Sequence, residues 1–133
     1  DGSPQRLRTN ETVPMHATAL GKCLLAFAPL VTPAARDLDL QRYTGRTATT
    51  PASLESQLVV ARRRGCATGF AEYTPGVGGA AVPLRGAGGL AVGALGISGP
   101  VEHLFGSGGV VRPRLVDQLT AAAGEISVTL GHS

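Results

Sequence analysis

The chain has 133 residues, a formal net charge of +3, 43% hydrophobic and 16% charged residues, and 19 glycines. That length allows one compact domain. With three phenylalanines, two tyrosines and no tryptophan, its core must come from leucine, valine and alanine. No apolar run reaches the roughly 18 residues that a membrane span needs, and no leader pattern is present, so a cytoplasmic protein without a membrane partner is expected. Cys23 and Cys66 lie far apart with no CxxC, which excludes a disulfide framework or a thiolate metal site and makes both small core residues. Only one of the twelve basic residues is a lysine, Lys22. The triplet Arg62, Arg63 and Arg64 reads as a solvated helix end favoured by the helix dipole. No basic stripe is interleaved with aromatics, so direct DNA binding by these residues is not expected.

In chain order, residues 1 to 12 are polar, with Arg6, Leu7 and Arg8 read as a short edge strand. Thr18 caps a first helix over about 18 to 28, with apolar residues repeating at Leu20, Leu24 and Phe27 and a stop at Pro29. Thr32-Pro33 sets up a short helix through Leu38 or Leu40. Thr50-Pro51 opens the next helix, which turns Leu54, Leu58 and Ala61 inward and ends at Gly65. Then the period changes. Cys66 to Tyr73 reads as a strand, TPGVGG as a turn, Ala80 to Leu84 as a second strand, RGAGG as a hairpin loop, and Leu90 to Ser98 as a third strand before Gly99-Pro100. Gly93 and Gly96 within that strand suggest close approach by another segment. Val111, Leu115, Leu119, Ala122, Ile126 and Leu130 step as one closing helix, with Gly124 as its weak point. The result is an α+β fold, helices against an antiparallel sheet. Three strands are few for these helices, and the chain starts at Asp1 without methionine. Both features lead us to expect that strands precede this sequence in a longer protein.

A search for catalytic chemistry yields near-misses. His16 to Lys22 would need glycine at His16 and a hydroxyl at Cys23 to make a phosphate-binding loop. Gly96-Ile97-Ser98-Gly99-Pro100 would need glycine at Pro100 to make a nucleophile elbow. Asp37, Asp39, Glu55, Asp117 and Glu125 belong to solvated helices. Strand alternation turns Glu72 toward solvent or an interface. His16, His103 and His132 have no ligand spacing, and His16 fits a hydrogen-bonding role better than that of a base. No catalytic residue, metal site or cofactor is expected, and the chain does not read as an enzyme.

A binding concavity is better supported. Thr18 as N-cap leaves the amides of Ala19, Leu20 and Gly21 without intrahelical partners, a ready receiver for an anion. Gly76-Val77-Gly78-Gly79 and the strand 93 to 98 likewise carry small or absent side chains. If these segments converge, they leave a cavity lined by backbone, Ala80 and the Ser98 hydroxyl. The alternative is that the glycines serve only turns and close helix–sheet packing. On the residues alone both readings stand.

The motifs VPMHATALGK with LLAF following, ARRRGCA, EYTPGV, AAVPL and GALGISGP occur in an order and spacing that resemble the C-terminal effector-binding domain of the IclR family of bacterial transcription regulators, over roughly residues 6 to 130. The resemblance implies a GAF- or profilin-like sheet with flanking helices whose first strands are absent from this sequence. It also implies an N-terminal winged helix-turn-helix domain outside the chain, and dimers or tetramers on operator DNA. Residues 1–133 would then be a partial effector-binding domain that senses small molecules and oligomerises. A ligand-free dimerisation module, or an enzyme using the same pocket, is the alternative. Carried over, the effector-binding positions are Ala19, Leu20, Gly69, Val77, Gly79, Ala80, Gly96 and Ser98.

The chain departs from the family where an acidic residue, a cysteine and a serine often stand, because Gly69, Gly79 and Gly96 are all glycine. Each lost charge-assisted bond costs a hydrated small acid roughly 1.5–3 kcal/mol, and the missing side chains are expected to open volume. A larger organic acid, aromatic or alkyl, is therefore expected over glyoxylate or pyruvate.

Overall fold

The structure, a computed structural model, describes residues 14–31 and 38–129, with side chains to residue 126. The expected strand at Arg6 to Arg8, the helix over 32–37 and the contribution of Leu130 lie outside the described residues. Helix α1 (Ala19–Phe27) is capped as its sequence predicts: Thr18 Oγ1 accepts from Gly21 N at 3.1 Å. The same hydroxyl donates to the Pro14 carbonyl at 2.9 Å, which fixes the turn before the helix. Helix α2 (Pro51–Arg64) has Thr50 as cap, proline in its first turn and a left-handed Gly65 as terminator. It buries Leu54, Leu58 and Ala61 against Leu25, Cys23 and Ala26 of α1. Arg62 pins the two helices together, donating to the Ala26 carbonyl at 2.9 Å and pairing with Glu55 at 3.1 Å. That arginine of the solvated helix end is thus also an anchor.

The sheet is antiparallel in the order β1 (Ala67–Phe70), β2 (Val77–Arg85), β3 (Ala91–Pro100). Three strand limits differ from expectation by more than one residue. β1 stops at Phe70, not Tyr73, because Ala71 turns left-handed at φ 53° and breaks the pleat. β2 begins at Val77, so Gly78 and Gly79 are strand residues rather than loop. β3 runs on through Gly99 and Pro100 and leads directly into the short helix α3 (Val101–Leu104). Leu38 to Leu40 are irregular. Val111 bridges to Phe105 instead of opening the last helix, so α4 spans Pro113–Thr129.

The GAGG and GSGG segments form the same turn twice. Gly88 and Gly108 take φ 75° and 76°, and each turn is closed by an amide-to-carbonyl bond, Gly86 to Leu90 at 2.9 Å and Gly106 to Val110 at 2.8 Å. Two left-handed residues in succession need glycine at those places.

Pairing fixes which residues share a face. Gly69, Gly79 and Ser98 stand in one row, and Ala67, Ala81 and Gly96 in the next. Ala67 and Ala81 pack under α1. The other face carries Ala80 and Val82, which pack on Phe105, Val111, Ala123 and the inner side of α4. The sheet thus has helices on both faces, as the α+β pattern predicts.

Candidate functional site

The start of α1 lies across the glycine row of the sheet and encloses a cavity of about 300 Å³. The PMHAT turn and the Thr18 cap place the first amides of the helix over β1 and β2. Gly21 N is taken by Thr18 Oγ1 and Lys22 N by the Thr18 carbonyl. The Ala19 and Leu20 amides have no hydrogen-bond partner among the described residues. Both residues line the cavity. The positive end of a helix dipole thus opens on the cavity without a basic side chain from α1, an arrangement that can receive an anion.

All eight residues singled out from the sequence come to this one cavity. Ala19 and Leu20 contribute from α1, Gly69 from β1, Val77, Gly79 and Ala80 from β2, and Gly96 and Ser98 from β3. Ala80 is fully buried with its methyl in the α4-side core, so it offers the cavity backbone alone. Leu20 and Val77 are the exposed apolar lips, and Ser98 brings a hydroxyl from the partly open side.

The glycines do not release all the space that their missing side chains suggest. A Cβ at Gly69 would stand 3.3 Å from Ala19 N, and one at Gly79 would stand 3.3 Å from Ala19 Cβ. At Gly96 it would meet the Ala80 carbonyl oxygen at 3.1 Å and Leu20 Cδ1 at 3.2 Å. Helix α1 has settled onto the sheet and taken part of that volume. Gly93, by contrast, would meet only Leu84 at an ordinary 3.7 Å, so close approach explains Gly96 and not Gly93.

The segment after β1 supplies wall residues that the sequence reading left out: Glu72, Tyr73 and Thr74. Glu72 is turned inward, against the expectation from strand alternation, and is 8% exposed. Its Oε1 accepts from Lys22 Nζ at 2.7 Å and its Oε2 from the Phe70 amide at 3.2 Å. The alternation argument fails because the strand ends at Phe70, two residues earlier, and the left-handed Ala71 turns the chain between them. Lys22 also donates to Gln57 Oε1 at 3.0 Å. Burial pulls the Lys22 ammonium below the usual lysine range, and the adjoining Glu72 carboxylate pulls it back up.

Hydroxyls from the loop over residues 41–49 hold the same segment from outside. Thr44 Oγ1 donates to the Ala71 carbonyl and Thr47 Oγ1 to the Glu72 carbonyl, each at 2.6 Å. Tyr73 meets Tyr43 edge-on at 5.0 Å, and Tyr43 leans on His16. His16 Nε2 donates to the Gln41 carbonyl at 2.8 Å, the hydrogen-bonding role expected of it. The quoted EYTPGV motif was the one signal that could have pointed to this wall.

Among the described residues, Glu72 is the only His, Asp, Glu or Cys lining the cavity with Ser98, and its carboxylate is engaged on both oxygens. No group of three or more His, Cys, Asp or Glu side chains is placed to hold a metal among the described residues. Cys23 and Cys66 are both buried and free, as small core residues should be. No described helix is long and apolar enough to cross a membrane.

The sequence and the fold have known counterparts. The family described as "Bacterial transcriptional regulator IclR C-terminal" matches residues 3–128. The glycerol operon regulatory protein of Streptomyces coelicolor is 37% identical over 131 residues, which is 98% of this chain and 51% of that protein. The chain thus spans about half the length of the curated relatives it matches. Among solved structures, the Thermotoga maritima IclR superposes with a TM-score of 0.83 at 30% identity, over 98% of this chain and 53% of that one. The inducer-binding domain of the transcription factor PobR from Acinetobacter, a double mutant in complex with 3-hydroxybenzoic acid, gives 0.68 at 28% identity, over 86% of this chain and 66% of that one. The chain belongs to the IclR C-terminal family, the small-molecule-sensing and oligomerisation domain of bacterial transcription regulators.

Proposed function

We propose that the cavity between α1 and the sheet receives an organic acid with an apolar body, aromatic or alkyl, as the effector of a transcription regulator. One observation carries this reading: the amides of Ala19 and Leu20, without a partner among the described residues, open the helix at the wall of a cavity that is otherwise mostly apolar. A carboxylate there receives charge-assisted bonds and the favourable end of the helix dipole. Leu20, Val77 and Ala19, beside the side-chain-free Gly69, Gly79 and Gly96, give such an acid an apolar bed, and Ser98, Tyr73 and Thr74 bring hydroxyls. A two- or three-carbon acid has no apolar body to fill that bed. A relative's inducer-binding domain in complex with 3-hydroxybenzoic acid supports the same ligand class.

The protein works as a cytoplasmic homo-oligomer, dimer or tetramer, that contacts operator DNA through an N-terminal winged helix-turn-helix domain outside this chain. The effector acts by preferring one arrangement of that oligomer, since only differential affinity shifts an equilibrium. Catalysis has no part in this reading, since no described residue places a free base beside Ser98. Isothermal titration against glyoxylate, pyruvate, hexanoate, benzoate and 3-hydroxybenzoate tests the ligand class. The larger acids should bind tighter, and a preference for glyoxylate or pyruvate would sink it. In a gel shift at physiological salt, residues 1–133 should leave duplex DNA unbound. Specific, salt-tolerant binding by this chain alone would place the DNA contact here instead.

A further inference from the structure

Glu72 puts a carboxylate into the wall of a cavity that, on the reading above, has to accept another carboxylate. It is the only acidic residue among the lining residues. Uncompensated, it would repel the ligand through a medium of low dielectric. Lys22 stands behind it. Its Nζ lies 2.7 Å from Glu72 Oε1 with the lysine side chain 3% exposed, and Lys22 belongs to the wall of a second cavity of about 230 Å³ rather than to the first. Glu72 lines both cavities, so the ion pair is the partition between them. The pair is fixed in place. Gln57 Oε1 takes a second Lys22 proton, the Phe70 amide occupies Glu72 Oε2, and no buried side-chain polar atom among the described residues is left without a partner.

We propose that Lys22 sets the charge selectivity of the effector cavity, cancelling the Glu72 carboxylate in its wall so that the cavity admits an anion. Glu72 acts as the positioning residue that joins the start of α1 to the 71–74 wall. This inference rests on the effector reading. A single buried pair can be silenced at either end with opposite consequences for an anionic ligand, which a purely structural strut would not show.

The test uses the whole chain at low ionic strength, with benzoate and its neutral isostere benzamide as probes. Either single variant strands a buried charge, but Glu72→Gln keeps an amide oxygen to accept from Lys22 Nζ, so Glu72→Gln, shown folded by its melting, and the double variant Lys22→Met/Glu72→Gln decide the matter. At mildly acidic pH, which keeps Lys22 protonated once the Glu72 charge no longer raises it, Glu72→Gln leaves the lysine charge uncancelled and should tighten benzoate about three- to tenfold. The double variant should return benzoate to within about twofold of wild type, with benzamide within about twofold throughout, because only the anion feels the field. Unchanged benzoate affinity in Glu72→Gln would overturn the proposal, as would a parallel loss of both probes, which marks a structural strut. If wild type binds neither benzoate nor hexanoate, the effector reading itself fails and takes this inference with it. Binding by wild type without the opposite-sign pattern defeats the inference alone.

Discussion

Strand β2 meets two different environments on its two sides. Its odd residues, Gly79 and Ala81, face α1, where the helix backbone comes within contact of the sheet and a buried ion pair lies close by. Its even residues, Ala80 and Val82, face α3 and α4, where Phe105, Val111 and Ala123 fill the space with side chains. Gly78 joins that second side, and a Cβ there would press on the Phe105 ring at 2.7 Å. The difference lies in what would have to move. On the α4 side mostly side chains stand in the way, and a packed apolar core tolerates exchange at similar volume. On the α1 side the obstacle is often backbone, as at Gly69, whose Cβ would stand 3.3 Å from Ala19 N. One face is built to be filled and the other to bring helix amides close to a cavity.

The largest expected effect breaks the α1 side at its ion pair. Lys22→Met should lower stability by about 3–5 kcal/mol, the cost of stranding a buried charge. Val82→Ala on the opposite face, a cavity mutation with no charge involved, should cost about 1–3 kcal/mol. Chemical denaturation of both variants checks the ranking, and an equal or reversed order would show that the two faces do not differ in kind.

Gly96→Leu comes next. The Cβ already meets the Ala80 carbonyl and the Leu20 tip, so overpacking should cost about 1–3 kcal/mol. The remainder of the leucine would occupy the proposed ligand space and abolish benzoate binding. Melting and titration on the same variant separate the two effects. A folded variant with unchanged affinity would remove Gly96 from the site.

Cys23 offers a reading of the α1-side core without mutation. It is fully buried, and burial pushes its thiol up to about 12 from an ordinary 9.0. Alkylation should therefore proceed only through unfolding and share the denaturant dependence of global opening. The unfolded thiol ionises first. Cys23 thus contributes stability in full below pH 9 and loses it as the pH climbs toward 12. Fast labelling of the native chain would mean that α1 lifts from the sheet on its own.

The parts legible in the sequence were those with local causes. Thr18, Thr50-Pro51 and Gly65 mark helix ends through bonds made within four residues, and the structure places the ends where those residues require. The proposed site positions were named through the resemblance of motifs such as VPMHATALGK, EYTPGV and GALGISGP to the IclR family, not through a local cause. Other features had no local marker. Alanine is an unusual residue for a left-handed turn, so nothing announced that β1 would stop at Phe70 or that Glu72 would face inward. Lys22 and Glu72 are 50 residues apart, and sequence spacing cannot pair them. Val111 fits the helical period of α4 by coincidence of spacing, while its backbone is claimed by the bridge to Phe105.

The smallest effect sharpens the comparison most, because one substitution should change sign between the two sides. Gly124 lies exposed in α4 with an ordinary backbone angle, and a Cβ there would meet nothing within 4 Å. Gly124→Ala removes conformational freedom from the unfolded chain and adds helix propensity, a gain of about 0.5–1 kcal/mol. At this size that raises the melting temperature by about 2–6 °C. Gly79→Ala makes the same chemical change under α1. There the new methyl meets the Ile97 carbonyl oxygen at 3.2 Å and Ala19 Cβ at 3.3 Å, so the melting temperature should fall. A stabilising Gly79→Ala would show that α1 has room to rise and that close approach is not what glycine provides in that row. A destabilising Gly124→Ala would show that the outer side of α4 is covered in the assembled protein, and sedimentation of that variant would then report a change of oligomeric state.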